Sequence, residues 1–157
     1  MNFYMKQRVF SWRDKFHICD EEGNEKYYVE GAAFSIGKRL TMFDATGNEV
    51  AEIRQKVMSF LPKYYVQLAN GVTLEIKKHF TFFRPKYGVE PFGWTVQGDF
   101  FNHDYDILMG DALVARVAKR WLTWGDAYEI SVGPAADEVA ALATVLVIDA
   151  CLEQQNN

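Results

Sequence analysis

Val139-Ala140-Ala141-Leu142-Ala143-Thr144-Val145-Leu146-Val147-Ile148, followed by Asp149, is the stretch whose reading decides the fold. None of its first ten side chains is charged, and no polar stripe runs along it. A helix that is apolar all round has to be buried all round. Crossing a bilayer takes about 20 apolar residues, and this run is about half that length before Asp149 interrupts it. Just upstream, Gly133-Pro134 breaks whatever precedes. Pro134 suits a first helical turn, and Asp137 and Glu138 stand where the helix dipole favours carboxylates. The expectation is a helix over about Ala135–Leu152 in the interior of the protein, with small alanines that let its surroundings approach closely.

What surrounds it reads as strands. Val72, Leu74 and Ile76 alternate with Thr73, Glu75 and Lys77, the period of two that gives one buried and one wet face. Tyr64-Tyr65-Val66-Gln67-Leu68 precedes this run, and Asn70-Gly71 stands between them. That is a hairpin signal, because both residues tolerate positive φ. Similar runs occur at Phe16–Cys19, Tyr27–Val29, Leu40–Phe43, Val50–Ile53, Tyr105–Met109, Leu113–Val117 and Tyr128–Val132, the last after Trp124-Gly125-Asp126. Regular short strands joined by turns indicate an all-β barrel or sandwich. Residues 20–24 and 44–48 both begin with Asp and end in Gly-Asn, with Glu following at Glu25 and Glu49, a hint of a meander repeat 24 residues apart.

The 157 residues are 49% hydrophobic and 15% aromatic. That fits one domain over residues 1–157 with a sizeable core. A net charge of −4 lacks the basic excess of a duplex nucleic-acid binder, so no nucleic-acid partner is expected. Cys19 and Cys151 form no CxxC and read as reduced, apolar side chains. Met1 to Arg8 carries charge where a signal peptide needs an apolar segment, so the expected location is cytoplasmic, with peripheral membrane contact an open alternative.

The order and spacing of several segments resemble the LURP-one-related (Tubby C-terminal-like) family, in particular its small single-domain bacterial members. The resemblance covers nearly the whole chain. It is carried by Lys6-Gln7, Phe16–Asn24, Leu40–Asp44 with Gly47–Val50, Ile53–Lys56, Trp94–Phe100, Val114–Arg120, Trp124–Tyr128 and the apolar run into Asp149. It implies a mostly-β fold: a closed antiparallel barrel of about 12 strands around a buried C-terminal α-helix, as in Tubby-like domains and phospholipid scramblases. Eukaryotic Tubby domains bind phosphoinositide headgroups and scramblases act on membranes; no lipid-binding position of theirs matches a motif here.

Chemical motifs are few. Gly31 to Arg39 superficially suggests a phosphate-binding loop. Five residues separate its glycines where four are needed, and Arg39 replaces the Ser or Thr that would hold magnesium, so it reads as a loop between strands. His17, His79 and His103 have no ligand spacing, and Asn102–Asp106 departs from a calcium loop at Leu108 and reads as a polar turn. There is no Gly-x-Ser-x-Gly elbow and no marked carboxylate couple, so no catalytic residue, cofactor or metal is assigned.

Two basic clusters remain. Lys77, Lys78 and His79 precede Phe80-Thr81-Phe82-Phe83, then Arg84, Lys86 and Tyr87; Arg116, Lys119 and Arg120 form the second. Alternation puts Lys77 and His79 on the polar face, opposite Ile76. Basic groups beside exposed aromatics suit an anionic lipid headgroup. The other reading is a charged strand edge with the aromatics tucked into the barrel. The expected function is a non-enzymatic binding or scaffold domain for anionic phospholipid headgroups or another phosphorylated ligand. The alternatives are a protein–protein interaction module using the barrel exterior and, third, an enzyme with dispersed residues.

Overall fold

The computed structural model describes residues 1–6, 15–32, 35–123 and 125–155, the side chains of Phe16 and Asp126 excepted. Gln7 and Arg8 near the start, Ala33-Phe34 in the glycine-flanked loop and Trp124 before the final strand lie outside the described residues.

The strands are β1 (Asn2–Lys6), β2 (Phe16–Cys19), β3 (Glu25–Gly31), β4 (Arg39–Asp44), β5 (Glu49–Gln55) and β6 (Lys63–Leu68). They continue as β7 (Thr73–His79), β8 (Lys86–Glu90), β9 (Trp94–Asp99), β10 (Asp104–Met109), β11 (Ala112–Leu122) and β12 (Gly125–Val132), followed by α1 (Glu138–Gln155). Each strand pairs with its sequence neighbours, and β1 pairs with β12, so the sheet closes into a twelve-stranded barrel. The seam is antiparallel, Asn2 opposite Ser131 through Lys6 opposite Ala127. The Met1 amino group adds a bond of 2.8 Å to the Val132 carbonyl. Closure removes the open edges that would otherwise invite a further strand.

Alternation sets the walls. Leu74 and Ile76 on β7, Val66 on β6, Val89 on β8 and Val96 on β9 are wholly buried, each separated by a side chain that faces out. They pack on α1, which is buried at every residue from Ala140 to Leu152. The helix starts later than Pro134. Pro134 and Ala135 lie in a turn, and Asp137 is the N-cap, its Oδ1 accepting the Ala140 amide at 3.0 Å. A carboxylate cap satisfies an amide that the first turn leaves open, which the proline cannot do. No helix among the described residues is long and apolar enough to cross a membrane.

The hairpin expected at Asn70-Gly71 forms, joining β6 to β7. Gly71 has φ 91°, but Asn70 has no positive φ. The Gly71 amide bonds the Leu68 carbonyl and the Leu68 amide bonds Val72, so the turn is a type I turn closed by a glycine bulge. The same pair of bonds recurs at Asp20–Asn24 and Asp44–Asn48, with Gly23 and Gly47 at φ 88° and 90°. The two-copy resemblance is thus a three-copy one, with turns beginning at Asp20, Asp44 and Leu68.

Candidate functional site

Up-and-down topology sorts the connections into two sets. Those after odd-numbered strands lie at one end, the loop end; those after even-numbered strands lie at the other, the turn end. α1 enters at the turn end, where Glu138 is bonded by the Tyr27 hydroxyl, and finishes at the loop end, where Glu153 meets Lys38 at 3.7 Å. Its 18 residues span about 27 Å.

At the loop end β7 stops at His79, and residues 80–85 form an irregular connection. The aromatics are not tucked into the barrel: Phe80, Phe82 and Phe83 are 69%, 87% and 97% exposed, with Phe80 and Phe82 in edge-to-face contact. Arg84 and Lys86 beside them are exposed, and neither has a carboxylate within ion-pair distance among the described residues. Lys77 faces outward, as alternation requires, with Glu75 at 3.9 Å. Lys78 faces the other way. It follows Leu74 and Ile76 onto the inner face and reaches the barrel mouth, where it lines a cavity of about 130 Å³ with Pro85, Tyr87, Phe101, Leu152 and Gln155. The carbonyls that end α1 make that mouth partly negative, and no basic residue of the helix answers them. Lys78 on β7 and Lys38, just before β4, bring positive charge to that end of the barrel, Lys38 within 3.7 Å of Glu153.

The second cluster is differently placed. Arg116 donates to Asp106 at 2.8 Å and to Asp104 at 2.7 Å, and Arg120 to Glu129 at 3.1 Å. The expected polar turn at Asn102–Asp106 is therefore half strand: Asp104 and Asp106 sit on β10 and hold Arg116 across the ladder. Lys119 lies close enough to His103 to disfavour its protonation. Lys119 and Arg120 lie in the loop half of β11 and Arg116 near its middle, but β8 and β11 are separated by β9 and β10, so the two clusters form no single patch on the wall.

Sequence reasoning passed over two features. The first is apolar exposure elsewhere on the same rim: Met58 and Phe60 between β5 and β6, Phe101 between β9 and β10, and Trp121 at the end of β11. The second is a buried polar cluster beneath it. Asp149, 8% exposed, points from α1 at His103, with Oδ1 and Nδ1 3.7 Å apart. Burial raises the Asp149 carboxyl to about 7, and Glu153 adds to the rise. Burial and Lys119 lower His103 to about 4. Between these values both groups are neutral, so this is a contact of uncharged partners and not an ion pair. The His103 ring stacks on Tyr128, centroids 4.1 Å apart. The Tyr128 hydroxyl and His103 Nε2 are also hydrogen-bonded at 3.2 Å, the imidazole tautomer deciding which of the two donates. The sequence signal was Asp149 itself, the carboxylate that interrupts the apolar run. Cys151, two residues further along α1, is buried and its thiol is pushed up to about 12 by burial, while Cys19 is half-buried; both are free. No group of three or more His, Cys, Asp or Glu among the described residues is placed to hold a metal ion.

A closed antiparallel barrel filled by the helix that follows its strands defines the class of protein. The family model described as LURP-one-related matches residues 1–149. The chain is 34% identical over 152 residues to the uncharacterized protein YxjI of Bacillus subtilis, covering 97% of this chain and 94% of that one. It is 20% identical over 173 residues to the protein LURP-one-related 14 of Arabidopsis thaliana, covering 95% and 83%. An X-ray structure of an Arabidopsis thaliana protein superposes with a TM-score of 0.67 at 17% identity, covering 99% of this chain and 91% of that one. The chain belongs to the LURP-one-related family.

Proposed function

We propose that this chain acts as one non-enzymatic binding domain that docks on anionic phospholipid surfaces, with the segment from Lys77 to Tyr87 as its contact. One observation carries the reading: the 80–85 connection holds three phenylalanine rings in solvent beside Arg84 and Lys86, which have no carboxylate partner among the described residues. Burying a phenylalanine contributes about 1.5–3 kcal/mol, and each cation near an anionic bilayer about 1 kcal/mol. Together these support a peripheral, reversible attachment. Lys77 and Lys78 contribute less than Arg84 and Lys86, because Glu75 offsets one and the barrel mouth encloses the other. Arg116 and Arg120 are already matched by carboxylates, leaving Lys119 as the contributor from the second cluster.

The test is co-sedimentation with vesicles of phosphatidylglycerol and phosphatidylcholine. Binding should rise with the phosphatidylglycerol fraction and fall with salt, because screening shortens the reach of exposed charge to about 8 Å at physiological ionic strength. Arg84→Gln with Lys86→Gln should lower it roughly tenfold or more, from about 1 kcal/mol per charge. Wild-type protein that ignores phosphatidylglycerol vesicles at low salt would end the lipid reading and favour a protein partner on the barrel exterior.

A further inference from the structure

We infer that the whole loop rim, and not the 77–87 segment alone, is the membrane-seating surface, so that the barrel stands end-on with α1 along the bilayer normal. This rests on the lipid-docking reading and specifies its geometry. Exposed apolar side chains crown five successive positions around the loop end: Ile36 between β3 and β4, Met58 and Phe60 between β5 and β6, Phe82 between β7 and β8, Phe101 between β9 and β10, and Trp121 at the tip of β11. In a closed barrel these points lie on a ring. A contact through the wall would reach two or three neighbouring connections; a plane that touches all five must cross the barrel axis.

Charge selects the occupant. Among the described residues, the connections at the loop end carry Lys15, Lys38, Lys56 and Arg84 and no carboxylate. Those at the turn end carry Asp20, Glu21, Glu22, Asp111 and Asp137 and no cation. Strand and helix ends add Asp99, Asp104 and Glu153 to the loop end, the last within 3.7 Å of Lys38, but also Lys78 and Lys86, so the loop end stays the more basic of the two and an anionic surface favours it. A second copy docked rim to rim would oppose like charges. The apolar tips also stand on separate connections rather than lining one groove, which suits a deformable bilayer better than a folded partner.

The experiment compares four variants for binding to phosphatidylglycerol-containing vesicles, each with its melting temperature. They are Phe82→Ser/Phe83→Ser, Met58→Ser/Phe60→Ser, Trp121→Ser, and Leu113→Ser at the turn end as control. All these sites are exposed, so melting temperatures should hold within a few degrees. The expected result is a tenfold or greater loss for the first two, a smaller loss for Trp121→Ser, and none for Leu113→Ser. Loss confined to Phe82→Ser/Phe83→Ser would overturn the end-on geometry and leave the lipid reading standing. Absence of wild-type binding would remove both. A wild-type dimer that Met58→Ser/Phe60→Ser converts to monomer would also overturn the proposal, assigning the rim to a second copy.

Discussion

At the turn end, the β2–β3 and β4–β5 hairpins reverse through short turns whose Asp, Asn and Gly groups satisfy one another; at the loop end, the β3–β4, β5–β6 and β7–β8 connections are longer and leave isoleucine, methionine and phenylalanine in water, joined by Phe101 and by Trp121 at the tip of β11. Asp44 shows the first economy: its Oδ1 accepts from the Thr46 and Asn48 amides, at 2.9 and 3.0 Å. Phe83 shows the opposite, a large apolar side chain left almost fully exposed. One topology thus supports an end shaped by stability and an end whose composition stability does not explain.

The comparison can be broken hardest through the element that joins the two ends. Leu146→Asp places a charge where α1 is buried on all sides. It should unfold the domain, since an unpaired interior charge costs several kcal/mol against a total stability of about 5–15 kcal/mol. Circular dichroism and solubility check this; a soluble variant with a native melting transition would show the helix to be peripheral.

Next is the polar cluster under the rim. Asp149 holds its proton more tightly folded than unfolded, because its carboxyl is raised from 3.8 to about 7. Its contribution is fully present below pH of about 4 and is lost as pH rises through about 7. His103 works the other way: lowered from 6.5 to about 4, it penalises the folded state as pH falls through that window. The two slopes partly cancel in the wild type. Asp149→Asn keeps a neutral side chain at all pH values, so its stability relative to wild type should increase by on the order of 4 kcal/mol from pH 4 to 8. Urea titrations across that range measure it, and a pH-independent difference would refute the assignment.

The smallest effect sharpens the contrast. Gly47→Ala puts a Cβ on a residue at φ 90° and should cost about 1–2 kcal/mol, while vesicle binding stays unchanged. The rim serines should do the reverse. A change in vesicle binding from Gly47→Ala would mean that the two ends are coupled.

How much of this was legible in sequence depended on distance along the chain. The helix and the hairpins were readable because their signals are local: ten uncharged residues in a row, and glycine after a side chain that caps its own turn. Even so, the start of the helix was misplaced toward Pro134, because proline and aspartate both mark helix starts and only the fold shows that Asp137 caps it. Strand number and closure came with the family resemblance, since pairing Asn2 with Ser131 leaves no local trace. The fate of Phe80 to Phe83 was undecidable by pattern, as four apolar-rich residues read alike inside a barrel or outside it. Arg116 and Arg120 looked available until strands remote in sequence supplied their carboxylates.

The order in which the chain is made gives the central helix a further meaning. All twelve strands precede α1 in sequence, and the seam needs β12 before it can join β1. At about 5–20 residues per second of synthesis, the inner faces of the strands exist for seconds before the segment that covers them leaves the ribosome. Over that interval the inward-facing side chains of the strands have nothing to bury against, and the unclosed sheet is exposed to aggregation until the plug arrives.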